Sequence, residues 1–334
     1  MRGSGLALAL LAVVAGAALA FGTGRIAIPP LDVVQVLIAA VGGPAYDGPA
    51  TAETIVLSIR GPRVAAAMLC GAALATAGAA FQGLFRNPLV SPDILGASSG
   101  AALGAILGIF FSLGVGGIQL AAFAGGLLAV AIVYGIGATV RSGDPILSLV
   151  LTGVVVGSLL GAGVGMLKYL ADPYNQLPAM TFWLLGSLAG TAPEDVLPLL
   201  TPVALGTLVL LALRWRLDAL SLPEEEARAL GLATGRLRVA IVMAATLVTA
   251  ASVAAAGVIG WVGLVVPHLA RFLVGPEFGR LLPVTAALGA AYLLLIDTLA
   301  RSMAAVELPL GILTAVIGTP VFLWLLATAR RGWA

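Results

Sequence analysis

Proton transfer, metal ligation and nucleophilic attack need carboxylates, imidazoles, thiols or amines in clusters, and this 334-residue chain has few: 15 Asp and Glu, one His and one Cys. Its only lysine, Lys168, lies in Gly165-Met166-Leu167-Lys168-Tyr169. That context does not fit the G-x-x-x-x-G-K-[ST] loop that cradles nucleotide phosphates, so ATP is not bound by that motif. His268 follows Pro267 with no cysteine or carboxylate cluster. A lone imidazole is a poor metal or haem ligand, and a structural or hydrogen-bonding role is expected. Cys70, inside an apolar run, gives no disulfide framework and no thiolate cluster within one chain. A Ser-His-Asp arrangement is missing too. The chain is not read as an enzyme, and neither a cofactor nor a metal site is expected.

The charged residues that remain are grouped. Arg60-Gly61-Pro62-Arg63 puts two guanidinium groups at the start of an apolar run, with proline where a first helical turn tolerates it. Snorkelling to lipid headgroups would account for the pair; so would an acidic partner, because such charges steer encounter. Asp297 is the one acid within an apolar run, and Arg301 four residues on offers it an i,i+4 pair. An ion-coupled secondary transporter, the alternative reading, would keep Asp, Glu or His inside its spans; a proton relay has nothing to run on here. Pro223 followed by Glu224, Glu225 and Glu226 starts a short helix with acids in its first turn. Gly231 closes it after Ala227-Arg228-Ala229-Leu230. This helix is either a solvated connector or a coupling element seated in a cytoplasmic ATPase.

The elements that must position these groups follow from composition. Hydrophobic residues make up 60% of the chain and charged residues 10%, with a mean hydropathy of +1.11, against about 25% charged in soluble domains. A helix crosses a bilayer with roughly 20 apolar residues. Ten segments qualify: 5–22, 62–83, 92–111, 117–140, 145–168, 194–213, 238–256, 258–273, 281–300 and 308–327. Period-2 alternation is absent, which argues against a β-barrel. The expected fold is an all-α polytopic membrane protein, a single transmembrane domain over 1–334 with a polar loop at 214–238. Ala18-Leu19-Ala20 resembles a leader cleavage site, but with so many spans following, the first helix is expected to be retained. Gly153, Gly157, Gly161 and Gly165 form a stripe that suits helix packing, with a smooth pore lining as the other reading.

Lys and Arg are enriched in cytoplasmic loops. With ten crossings and both termini cytoplasmic, Arg2, Arg86, Arg141, Arg214, Arg216, Arg228, Arg236, Arg238, Arg271, Arg280, Arg330 and Arg331 lie inside. Arg25, Arg60, Arg63, Lys168 and Arg301 lie outside. Segment 258–273 is the weakest span, broken by Gly260 and Gly263. The net charge of +2 carries no basic stripe of the kind that binds nucleic acid.

A series of motifs in one order then becomes specific: Arg60-Gly61-Pro62-Arg63, Arg86-Asn87-Pro88-Leu89, Phe182-Trp183-Leu184-Leu185-Gly186-Ser187, Glu226-Ala227-Arg228-Ala229-Leu230-Gly231, Gly260-Trp261-Val262-Gly263 through Pro267-His268, Asp297-Thr298-Leu299-Ala300-Arg301 and Leu308-Pro309-Leu310-Gly311. Over 55–330 the chain resembles the iron-siderophore, haem and cobalamin permease family, the membrane subunits of type II ATP-binding-cassette importers. The resemblance implies a homodimeric channel in the inner membrane, ATPase subunits below it that use the ATP, and a substrate-binding protein above. It implies that Arg60, Arg63 and Arg301 receive acidic residues of the binding protein and that Glu224 to Gly231 couples to the ATPase. Gly157, Gly161 and Gly165 of the fifth span, and Phe182 and Trp183 of a half-helix around 174–190, match pathway or gate elements. Gly61 stands where the family commonly has a larger apolar residue, which implies looser packing. Arg63-Val64-Ala65 and Arg238-Val239-Ala240 open oppositely directed spans, a faint inverted repeat.

Overall fold

The computed structural model describes residues 4–24, 26–139 and 145–329, and among them there are helices and no strand. Arg2, Arg25, Arg141, Arg330 and Arg331, the last residue of segment 117–140 and both termini lie outside the described residues. Helix α1 (Ser4–Gly22) leads to a small cap of α2 (Pro30–Ala40) and α3 (Ala50–Thr54), at the end that the charge distribution is expected to place outside, called the outer end below and its opposite the inner end. Ile28, Val33 and Val36 bury against Ala52 and Val56 there. α3 continues through a π turn, Ile55–Arg60, into α4 (Gly61–Leu84), making one rod of 35 residues. Gly61 closes the π turn by donating its N–H to the Val56 carbonyl, and a Cβ at this position would press on that oxygen at 2.8 Å. In place of looser packing, glycine permits a close approach.

Then come α5 (Ala97–Phe110), α6 (Val115–Thr139), α7 (Pro145–Leu170), α8 (Gln176–Leu185) and α9 (Pro193–Ala212). Two short helices, α10 (Arg214–Leu220) and α11 (Glu224–Ala229), precede α12 (Thr234–Ala256), α13 (Val262–Val274), α14 (Phe278–Ser302) and α15 (Leu310–Ala329). Among the described residues seven helices are long and apolar enough to cross a membrane, so the count of ten is approximate. Segments 92–111 and 258–273 are half-helices: α5 has 14 residues and α13 has 13. At 1.5 Å per residue each covers about 20 Å of a core about 30 Å thick. Left-handed backbone at Gly96 (φ 78°) stops helix before α5, and Gly257 (φ 71°) and Trp261 (φ 70°) do so before α13.

Irregular backbone at membrane depth must be covered by protein. Both irregular stretches meet beside α4, where Gly263 packs against the Pro92 ring and Gly78 admits the Gly263 carbonyl. The chain repeats itself around this point. Helices α4, α5, α6 and α7 have 24, 14, 25 and 26 residues; α12, α13, α14 and α15 have 23, 13, 25 and 20. α4 starts at the end where Arg63 meets Asp297, and α12 starts at the opposite end, where Arg238 meets Glu224. The two sets therefore run in opposite directions, as an inverted repeat requires.

α4, α12 and α14 form the buried centre, and α1, α7 and α9 are largely exposed at the periphery. Lipid supplies no hydrophobic force between helices, so small residues that bring backbones together do the packing. A Cβ on Gly71 of α4 would strike the carbonyl of Gly289 of α14, and the reverse substitution would strike Gly71. α1 lies along α14 in the same direction, with Gly16 3.5 Å from Leu294 by its Cβ position.

Candidate functional site

At the outer end the structure brings Arg60, Arg63 and Arg301 together around a cavity of about 180 Å³ shared with Gly24, Ile26, Ile55, Ile59 and Glu307. The last π turn and the first turn of α4 carry Arg60 and Arg63; the last turn of α14 carries Arg301. Arg60 is buried and donates to the carbonyls of Phe21 and Ile26, the latter at 2.5 Å. Gly24 makes room for this guanidinium, which a Cβ there would overlap. Arg301 donates to the carbonyls of Ala20 and of Thr23, the latter at 2.9 Å, which ties α14 to the end of α1.

Arg63 is held on two edges. Its Nε donates to the buried Asp297 at 2.9 and 3.1 Å, and its Nη1 and Nη2 form a two-pronged contact with Glu307 at 3.0 and 2.9 Å. Asp297 also faces Arg301, at 3.6 Å, the i,i+4 partner read from sequence. Sequence reasoning missed the Glu307 contact. Its only signal was an isolated acid in an outer connection, 244 positions from Arg63.

Along α7 the glycine stripe divides. Helical residues four apart drift by about 40° around the axis, and the stripe rotates from a packed face to an open one. A Cβ on Gly153 would strike the Ile94 carbonyl and one on Gly157 would lie 3.7 Å from the Ser99 hydroxyl, whereas a Cβ on Gly161 or Gly165 would meet nothing within 4 Å. α8 is the half-helix expected near 174–190. Phe182 is exposed, while Trp183 turns inward against the cluster around Ala101 and Val253. Gln176 fastens one end of α8 to the Phe110 carbonyl at 2.9 Å. At the other end the Gly186 carbonyl accepts from Leu310 N–H at 3.0 Å, and Ser187 N–H donates to Ala256 at 2.8 Å.

At the inner end Glu224 sits between two arginines, Arg228 at 2.6 Å and Arg238 at 3.4 Å. Burial pushes its carboxyl upward, but Arg238 and then Arg228 outweigh this and hold it below the ordinary value. Gly231 ends α11 with φ 79°: its N–H reaches the Arg228 carbonyl at 2.9 Å and the Leu232 N–H reaches Ala227 at 3.3 Å. That pair of bonds is a Schellman stop. Only Ala227 of this helix is buried; Glu225, Glu226, Arg228, Ala229, Leu230 and Gly231 are exposed. α10 is anchored by Asp218, which accepts the Phe278 N–H at 2.8 Å at the start of α14. Burial holds the Asp218 carboxyl above its usual range, and neighbouring Glu277 adds to this against the Phe278 bond. Beside it lies a cavity of about 460 Å³ lined by Gln82, Arg86, Asn87, Asp218, Arg271 and Glu277. Gln82 links α4 to α13, accepting from Arg271 at 2.5 Å and donating to Gly263 at 3.2 Å.

This arrangement has known counterparts. The profile of the FecCD transport family matches residues 9–328. A molybdate import system permease protein from Haemophilus influenzae is 39% identical over 324 residues, covering 96% of this chain and 95% of that protein. A cobalamin import system permease protein from Halobacterium salinarum is 45% identical over 279 residues, covering 83% and 74%. A solved structure described as an inward-facing transporter of metal-chelate ABC type is 37% identical with a TM-score of 0.87, covering 97% of this chain and 98% of that one.

Proposed function

The chain belongs to the FecCD transport family, and from that premise we propose that it carries a metal chelate, a ferric siderophore, haem or cobalamin, across the inner membrane into the cytoplasm. It is the permease subunit of an ATP-binding-cassette importer, with ATP hydrolysis on a separate subunit. One observation carries the finer reading: α4 and α14 each join the two charged ends. Arg63 begins α4 and Gln82 ends it beside the inner cavity; Asp218 caps the start of α14 and Asp297 and Arg301 end it. A binding protein docks on the arginine end, ATPase subunits engage α11, and these two helices carry motion between them. The working unit is a homodimer with both termini cytoplasmic, and it needs no cofactor of its own. Gly161, Gly165 and Phe182, open in the single chain, lie towards the passage.

Among the described residues no three His, Cys, Asp or Glu side chains converge as a metal site would need. A chelate would thus cross whole, with selection made by the binding protein. The metal-chelate type of the solved neighbour and the cobalamin relative support this cargo; the molybdate relative, aligned over 96% of the chain, supports the oxyanion as a second reading. The test is uptake into proteoliposomes holding this chain, its ATPase and its binding protein, offered a radiolabelled ferric siderophore, haem, cobalamin or molybdate. ATP-dependent uptake of one of the first three is expected. Uptake of molybdate alone would transfer the assignment to the oxyanion, and uptake driven by a proton gradient without ATP would overturn the importer mechanism.

A further inference from the structure

Arg63 has five N–H donors in a fixed fork, and its partners divide them unequally. The Nε edge faces Asp297, whose side chain is 1% exposed, and the outer Nη1 and Nη2 edge faces Glu307, which is 35% exposed. Asp297 is fixed within α14. Glu307 lies in the irregular connection between α14 and α15, beside residues 302–306, which are all exposed. The outer edge of Arg63 is thus already occupied by a carboxylate, one whose segment has neighbours on few sides. An acidic side chain arriving from outside would find its place taken.

We infer that Glu307 is an exchangeable occupant of Arg63: an acidic side chain of the docking protein displaces it, and the displaced segment 303–309 transmits docking to α8. The inference rests on the docking reading proposed above. Replacing one carboxylate by another keeps Arg63 paired throughout, so the swap avoids the cost of a bare buried charge. What moves is the connection. Among its other fastenings are Met303 N–H to the Leu299 carbonyl, Leu308 N–H to the Ala300 carbonyl and Leu310 N–H to the Gly186 carbonyl, each 3.0 Å. Gly186 is the residue that ends α8, with φ 75°. Gly311 packs on the carbonyls of Leu185 and Val258, which a Cβ there would crowd at 2.7 and 3.0 Å. Release at Glu307 therefore loosens the segment that clamps the last turn of α8, three residues from the exposed Phe182.

Two variants and one label test this in the full chain, using the purified substrate-binding protein of its importer as the probe. Glu307→Gln removes the competing charge, and docking should tighten about five-fold, the factor one partly exposed ion pair supplies. Arg63→Glu should weaken docking. If Arg63→Glu leaves docking unchanged, the docking reading fails and the exchange with it. If Arg63→Glu weakens docking but Glu307→Gln leaves it the same or weaker, docking stands and the exchange is overturned. A nitroxide on Val306→Cys, a position 77% exposed, reports the segment directly, because the native Cys70 is buried. The label should gain mobility when the binding protein docks, and in the Glu307→Gln background it should be mobile beforehand. Unchanged mobility on docking would overturn the exchange.

Discussion

The outer and inner ends of the molecule use the same ion-pair chemistry in opposite ways. At the outer end a carboxylate from the last turns of α14 and another from the following connection converge on Arg63, more than 200 positions earlier in the chain, with Asp297 1% exposed. At the inner end Glu224 takes one arginine from its own helix and one from the next, and Arg228 is 67% exposed. Buried pairs are costly to break because the orphaned charge stays buried. Exposed pairs contribute little. The outer end is thus a joint that holds α1, α4 and α14 together, whereas at the inner end Arg228 is a surface charge that can be changed without dismantling the fold, although Arg238, 11% exposed, is not.

The largest test of this contrast is Asp297→Ala, which takes the buried carboxylate from between Arg63 and Arg301 and leaves Arg63 with Glu307 and Arg301 with backbone carbonyls alone. Stability should fall by about 3–5 kcal/mol, read as the shift in denaturant unfolding in detergent; a loss under about 1 kcal/mol, the range of exposed pairs, would erase the distinction. A smaller effect is expected from acid at the inner end. The Glu224 carboxyl is held below its ordinary value of 4.5, so its contribution is complete above that pH and lost as pH falls through the lower folded value. Amide protection in α11 should drop in that window, and Glu224→Gln should remove the pH dependence. Asp218 has the opposite sign: with its folded value raised, protonation favours the folded form, so protection must be followed at α11 apart from α10. The smallest effect belongs to Arg228→Ala, where an exposed i,i+4 pair gives about 0.3–0.5 kcal/mol. A cost near that of Asp297→Ala would place both ends in one class.

How legible these ends were depends on the distance along the chain over which each contact acts. The pair Asp297 and Arg301 is one helical turn apart, and spacing alone revealed it. The stop at Gly231 and the acidic first turn of α11 are equally local, and the structure has both. The long apolar helices were legible because lipid demands length and composition of each separately. Half-helix α13 was legible in part, since Gly260 and Gly263 marked segment 258–273 as the weakest span, whereas α5 was not, because segment 92–111 reads as a full span although the backbone turns left-handed at Gly96. The cap of α2 and α3 escaped as well, because helices of 11 and 5 residues are too short to register as spans. Glu307 stayed hidden because nothing near it in sequence indicates its partner.

The π turn at Ile55–Arg60 has a consequence for how this chain can change length. Such a turn holds one more residue than the α-helical turn it replaces. Removing one residue there would restore regular helix and leave the α2–α3 cap facing much as it does now, whereas removing one from a regular α-helical turn would swing the cap by about 100° around the axis of the rod. The turn is a point at which the chain can gain or lose a residue while both the outer cap and the membrane-embedded body keep their places.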